Sequence, residues 1–410
     1  MTGTTVDPTA GKRYRVVLGC WLTQFTVIGV LFTYGLLFTT LEDEFGWSRT
    51  FLSSCVSLAF LMLGIGGIAA GRLSDRFGPG PVLGVSAVFF GLGYVILSQA
   101  SEPWVVLVSY GIFVGIGMST HDVVTLSTIA RWFDKRRGTM TGFVKVGTAA
   151  GQVAIPPLFA VMIANQGWRA GMLTLGLASL AVLLFAASLV KRPDRPAAVQ
   201  AKAGNSSAGE TGSGFDLAWR SRVLWTLCAI QFCFLPSLTT VPVHIAAHGA
   251  DMGINALNTA WLISVIGASS VAGRVAVGTL IDWLGVKLAF ALALAMLFAG
   301  LGGILFASSP VLLFAATAVY GIAHGGLFTV VSPTIAAYFG MRAHGSLLGL
   351  VAFFGMVGGA IGPFLAGMVH DATDGYALAF GTLAAMALAG LVLVLTLPGD
   401  ANAFRAAREA

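Results

Sequence analysis

Charge is scarce in this chain: only 10% of its 410 residues are Asp, Glu, Lys or Arg, against 57% hydrophobic. A soluble core cannot hide that much apolar side chain, so the bilayer has to act as solvent for most of it. Cysteine is sparse as well. Cys20, Cys55, Cys228 and Cys233 all fall in apolar runs without metal-ligand companions, which argues against a disulfide framework or a metal centre. Between Val16 and Thr40 there is no charged residue at all. That run is too long for the core of a cleaved leader and is expected to stay as a membrane anchor. Also missing are a glycine loop ending in Lys and Ser/Thr, a His-Glu-x-x-His helix and carboxylates at metal spacing. Their absence argues against nucleotide hydrolysis and metal-assisted hydrolysis. No enzymatic activity and no cofactor are expected.

What is abundant is glycine, at 53 residues, which suits a helix bundle in lipid, where small residues let backbones approach. Apolar runs long enough to cross about 30 Å of hydrocarbon are placed at 16–40, 51–73, 81–99, 104–130, 138–164 and 169–190. A second set follows at 222–247, 255–281, 286–308, 311–339, 345–369 and 375–398. Between the sets, 191–221 contains Gly-Asn-Ser-Ser-Ala-Gly-Glu-Thr-Gly-Ser-Gly, a composition that cannot bury a core and reads as a flexible linker. The expected organisation is therefore a bundle at 1–190, the linker at 191–221 and a second bundle at 222–410.

The net charge of +6 does not point to nucleic acid, because 19 of the 23 Lys and Arg lie in alternate connections and the termini. The other connections hold only Arg49 and Arg169. By the positive-inside rule both termini are cytoplasmic, which requires an even number of spans. An internal repeat agrees. Sliding the sequence by 207 residues matches Gly46 to Gly253, Gly71 to Gly278, Asp75 to Asp282, Gly78 to Gly285, Gly138 to Gly345, Gly142 to Gly349, Gly151 to Gly358 and Pro156 to Pro363. Copies six spans apart share one orientation and are related by an axis along the membrane normal. The expected fold class is all-α integral membrane, twelve transmembrane helices in two six-helix pseudo-symmetric bundles.

The second and third spans are joined by Gly71-Arg-Leu-Ser-Asp-Arg-Phe-Gly78, echoed by Gly278-Thr-Leu-Ile-Asp-Trp-Leu-Gly285. This resembles the signature loop of the major facilitator superfamily, and through the repeat the resemblance covers the whole chain. It implies a conformational latch built on Gly71, Asp75, Arg76, Gly78 and Asp282, with Asp75 accepting hydrogen bonds from a neighbouring helix end. Pro79-Gly-Pro81 departs from the basic tail expected after the first copy. A narrower resemblance is to the monocarboxylate and oxalate/formate branch. It rests on Glu44-Phe-Gly-Trp-Ser-Arg49, on Ala130-Arg-Trp-Phe133 with Arg137-Gly138, and on Ala272-Gly-Arg274-Val-Ala-Val-Gly278. That branch binds the substrate carboxylate through an arginine at the place of Arg274. The cations it carries in the first and eleventh spans have no counterpart here.

Independently of family, only Asp122, Lys145 and Arg274 are formally charged and well inside apolar spans. A charge there costs at least about 2.5 kcal/mol on insertion scales, so each needs a partner or a wet cavity. All three are expected at one depth, facing a cavity between the bundles. Arg274 offers a planar fork that meets a carboxylate in two hydrogen bonds, with Ser270 one turn away on the same face. Lys145, flanked by Gly142 and Gly147, is either a second substrate cation or a fixed partner of Asp122. Asp122 and its neighbour His121 are candidates for proton coupling, with a permanent salt bridge as the alternative for Asp122. His324 and Tyr34 are further candidate substrate contacts. His244, His248 and His370 fall near the external ends of spans and are expected in water.

The expected function is secondary active transport of a small organic anion, by alternating access, with a monocarboxylate-proton symport foremost. Oxalate/formate-type anion exchange and drug/proton efflux are the alternatives. Expected partners are a small carboxylate, protons and the lipid bilayer, without nucleic acid, in a monomeric protein of the cell's inner (plasma) membrane.

Overall fold

The computed structural model describes residues 10–133, 137–193, 218–340 and 344–399, and no strand occurs among them. The helices in chain order are α1 (Ala10–Leu31), α2 (Tyr34–Phe45), α3 (Arg49–Phe77), α4 (Pro79–Leu97) and the short α5 (Pro103–Val106). A π-helical stretch, Leu107–Val114, leads into α6 (Gly115–Met118), α7 (Thr120–Trp132) and α8 (Arg137–Leu189). After the linker come α9 (Arg222–Asp251), α10 (Ala256–Leu305), α11 (Pro310–Phe339), α12 (His344–Thr373) and α13 (Ala377–Leu395).

Ten continuous helical stretches among the described residues are long and apolar enough to cross a membrane. Two of them, Met140–Leu189 and Ala256–Leu305, run for 50 residues each, about 75 Å at helical rise and more than twice the hydrocarbon thickness. Each bends where a glycine leaves helical geometry, Gly167 at φ 80° and Gly285 at φ 79°. Each is therefore two spans, and the total is twelve.

The repeat is written into backbone geometry as well as sequence. Gly46 and Gly253 have φ 65° and 81°, and Gly78 and Gly285 have φ 97° and 79°. This left-handed region is open to glycine without steric cost, which explains why those four positions match at the 207 offset. Helix contacts repeat too. A Cβ on Gly151 would strike the carbonyl of Phe25, and one on Gly358 would lie 2.9 Å from that of Phe232, again 207 residues on. Trp132 Nε1 donates to the Lys191 carbonyl at 2.7 Å, and Tyr338 Oη donates to the Pro398 carbonyl at 2.7 Å.

By packing, the chain divides into two compact units: Met1–Thr40 with Leu58–Asp194, and Leu41–Ser57 with Arg195–Ala410. In the first unit α1 lies against α8, and α4 against α8; in the second, α9 lies against α12, and α10 against α11 and α13. Residues 194–217 of the expected linker fall outside the described residues, while its first residues are held: Arg192 Nη2 donates to the Ser74 carbonyl at 2.6 Å, closing the C-terminal end of α3. One expectation is corrected. His244 is fully buried and His370 is 8% exposed, because the helix ends that carry them are packed by neighbouring helix ends rather than by water.

Candidate functional site

In the first unit, Asp122 stands on the fourth span shortly after Ser119, whose backbone stays in the right-handed helical region. Its Oδ1 receives Lys145 Nζ at 2.6 Å and Gln24 Nε2 at 2.9 Å. The same Gln24 nitrogen reaches the His121 carbonyl at 2.8 Å and Thr125 Oγ1 at 3.0 Å. Thr125 Oγ1 in turn donates to the His121 carbonyl. His121 Nδ1 donates to the Met118 carbonyl at 2.6 Å. That leaves Nε2, 3.6 Å from Asp122 Oδ2, as the ring nitrogen able to take a proton.

The glycines beside Lys145 divide their roles. A Cβ on Gly147 would lie 2.7 Å from the Trp21 carbonyl, so α8 presses on α1 there, and this closeness brings Gln24 onto Asp122; Gly142 has nothing within 4 Å. The pair is not sealed: the Lys145 and Asp122 side chains keep 27% and 42% of their exposure.

In the second unit, Ser270 and Arg274 stand on α10 and His324 on α11. The two helices meet backbone to backbone, since a Cβ on Gly273 would strike the Ile322 carbonyl and one on Gly325 that of Ser270. The approach places Ser270 Oγ 3.4 Å from His324 Nδ1, and the Arg274 charge reaches the His324 ring. Ser270 and His324 are buried at 0% and 2% exposure, while Arg274 is half-buried. The group can offer an anion a guanidinium fork beside an imidazole and a hydroxyl.

The family model described as Major Facilitator Superfamily matches residues 20–312 and 284–410. The chain belongs to the major facilitator superfamily. It is similar to Monocarboxylate transporter 13 of Rattus norvegicus, 30% identical over 97% of this chain and 92% of that protein. It is also similar to Monocarboxylate transporter 11 of Homo sapiens, at 26% identity, 95% of this chain and 84% of the relative. Among solved structures it matches a nucleoside transporter with TM-score 0.77 at 12% identity, covering 94% and 99% of the two chains. A D-xylose-proton symporter matches with TM-score 0.73 at 16% identity, covering 94% and 97%. At such identities the structures show the fold alone. The protein is a multi-pass membrane transporter of this superfamily, related to monocarboxylate transporters, and not an enzyme.

The other expected residues of this facilitator are placed as follows. A Cβ on Gly71 would lie 3.4 Å from Val123, Gly78 forms the positive-φ turn, and Arg76 stacks over Phe77 at 5.1 Å. Asp282 is exposed, and the side chain of Asp75 lies outside the described residues. Tyr34 is 1% exposed, with its ring 4.0 Å from that of Tyr110. Reading the sequence missed Gln24, the side chain that binds Asp122, His121 and Thr125 together. The signal was present. Gln24 and Gln231 match at the 207 offset, and Gln231 likewise lies against a glycine of its partner helix, Gly355.

Proposed function

We propose that the protein is a proton-coupled symporter of small monocarboxylates that works by alternating access in the cell's inner (plasma) membrane, with both termini cytoplasmic. The observation that carries the reading is the Arg274, His324 and Ser270 group, a cation and two polar partners held within apolar helices. The kinship with monocarboxylate transporters supports it. Guanidinium stays charged in a low-dielectric setting and meets a carboxylate in parallel hydrogen bonds, so Arg274 anchors the anion. Asp122, which Lys145 holds in the resting structure, is the place for the coupled proton, with His121 Nε2 as the neighbouring carrier. Proton and anion then cross together, and neither crosses alone. The Gly71 to Gly78 segment and Asp282 act as the latch on one conformational state.

The test is uptake of radiolabelled lactate, pyruvate and acetate into proteoliposomes under an inward proton gradient, with wild type and Arg274→Lys. Wild-type uptake should follow the gradient without internal anion. Arg274→Lys should fold normally yet lose at least about 90% of uptake, because an ammonium keeps the charge but not the fork. Uptake that needs internal anion favours exchange, for which Lys145 supplies a second cation. Full uptake by Arg274→Lys removes the anchoring role and favours efflux of hydrophobic compounds.

A further inference from the structure

Away from both groups, several helix ends of the second unit converge on one arginine. Arg49 opens α3 and is 7% exposed. Its Nη1 and Nη2 grip Asp251, at the end of α9, through two parallel bonds of 2.7 Å, and its Nε donates to Glu42 Oε1 on α2 at 2.7 Å. From α12, Asp371 accepts the backbone N–H of Arg49 at 3.0 Å and of Thr50 at 2.8 Å, capping α3. The guanidinium thus meets two carboxylates, Glu42 and Asp251, and a third, Asp371, sits on the backbone of the same residue. The knot carries surplus negative charge.

Nη1 is also within reach of His370 Nε2 at 2.9 Å and Tyr376 Oη at 3.0 Å. With one of its two hydrogens committed to Asp251, the other is shared between ring nitrogen and phenol. The phenol's role is fixed by its other neighbour. Ser53 Oγ, 3.2 Å from His244 Nε2, spends its hydrogen on the Arg49 carbonyl at 2.6 Å, and the Pro363 carbonyl at 3.1 Å only accepts, so His244 carries its proton on Nε2. His244 Nδ1 then accepts from Tyr376 Oη at 2.9 Å. Burial holds the Tyr376 phenol above its ordinary range, so it remains a donor. His370 Nε2 is left as the one neutral nitrogen in the knot that accepts from Arg49 and is able to take a proton instead.

We propose that His370 is a proton-binding site whose occupation loosens Arg49 and so releases the Leu41–Ser57 corner from the rest of the second unit. A proton on Nε2 turns an acceptor into a donor, which breaks the 2.9 Å contact with Arg49 and sets two cations against each other. The imidazolium finds Asp251 Oδ2 only 3.5 Å away and competes with Arg49 for it. The charged and titratable groups that face His370 come from four helices and the turn before α13. They are Arg49 from α3, Glu42 from α2 beyond it, Asp251, His244 and His248 from α9, Asp371 next to it in α12, and the Tyr376 ring at 4.7 Å. Water has a route to the knot: a cavity of about 260 Å³ is bordered by His248, Asp251, Asp374 and Tyr376. The corner is the part that responds, because Leu41–Ser57 is counted with the second unit while the rest of α2 and α3 belongs to the first.

Cys55 is the built-in reporter, being fully buried on α3 within the corner. With Cys20, Cys228 and Cys233 replaced by alanine, its labelling by a maleimide is measured on purified protein at about pH 7.5 and about pH 5.5, a window that spans ordinary histidine titration. Each rate is normalised to the unfolded protein at the same pH. Labelling should be at least about ten-fold faster in acid, the scale of one lost hydrogen bond to a charged group. His370→Gln accepts from Arg49 but takes no proton, and should label slowly at both values; His370→Asn is read in the same way should the glutamine variant not fold. No acceleration in the parent protein overturns the proposal. So does acceleration that survives in the His370 variant, above all if Asp122→Asn abolishes it.

Discussion

Neutralising Asp122 separates a coupling carboxylate from a merely structural one. At 2.6 Å the gross attraction between Lys145 and Asp122 is about 6 kcal/mol at an effective dielectric near 20, and about 1.6 kcal/mol in bulk water. Side-chain exposures of 27% and 42% place the pair between these limits. Desolvation and ordering of the lysine chain then leave a net contribution of about 1–3 kcal/mol. Asp122→Asn keeps an oxygen for Gln24 but strands the ammonium, so the stability loss should fall in that range. Adding Lys145→Met removes the stranded charge and should restore stability to within about 1 kcal/mol of wild type. The transport assay is decisive because it moves differently. With Asp122 as the proton carrier, uphill uptake under a proton gradient is absent in the single and the double variant, while exchange of labelled substrate persists in Asp122→Asn. Recovery of uphill uptake in the double variant refutes the coupling role.

Four other outcomes are expected. Gln24→Leu removes the amide whose two hydrogens serve Asp122, the His121 carbonyl and Thr125 between them, and should lower stability by about 1–2 kcal/mol, read by thermal unfolding in detergent. Gly325→Ala places a Cβ against the Ser270 carbonyl and should cost about 3 kcal/mol or prevent folding. Gly142→Ala, with nothing within 4 Å, should be tolerated and gain about 0.5–1 kcal/mol from helix propensity; equal effects at the two glycines would refute the packing argument. Asp371→Ala should cost about 0.5–2 kcal/mol as a lost cap of α3, visible as faster amide exchange of residues 49–52.

Much of the architecture was legible because it depends on local properties. Hydropathy over about 20 residues marks a span, and a turn that needs positive φ selects glycine whatever surrounds it, so Gly46, Gly78, Gly253 and Gly285 announced both the turns and the repeat. Asp122, Lys145 and Arg274 stood out for the same reason, since the cost of a charge in hydrocarbon is a property of the span alone. What each charge touches is not local. Lys145 meets Asp122 because Gly147 lets α8 press on α1 and carry Gln24 with it, and Ser270 meets His324 because Gly273 and Gly325 let α10 and α11 touch backbone to backbone. Position along a helix also says nothing about lateral neighbours. His244 and His370 sit near helix ends, where the sequence implies water, yet the tertiary structure surrounds them with Arg49, Asp251 and Tyr376. The sequence alone determined how many times the chain crosses and where charge is costly; only the packing of helix on helix decided which costly groups answer one another.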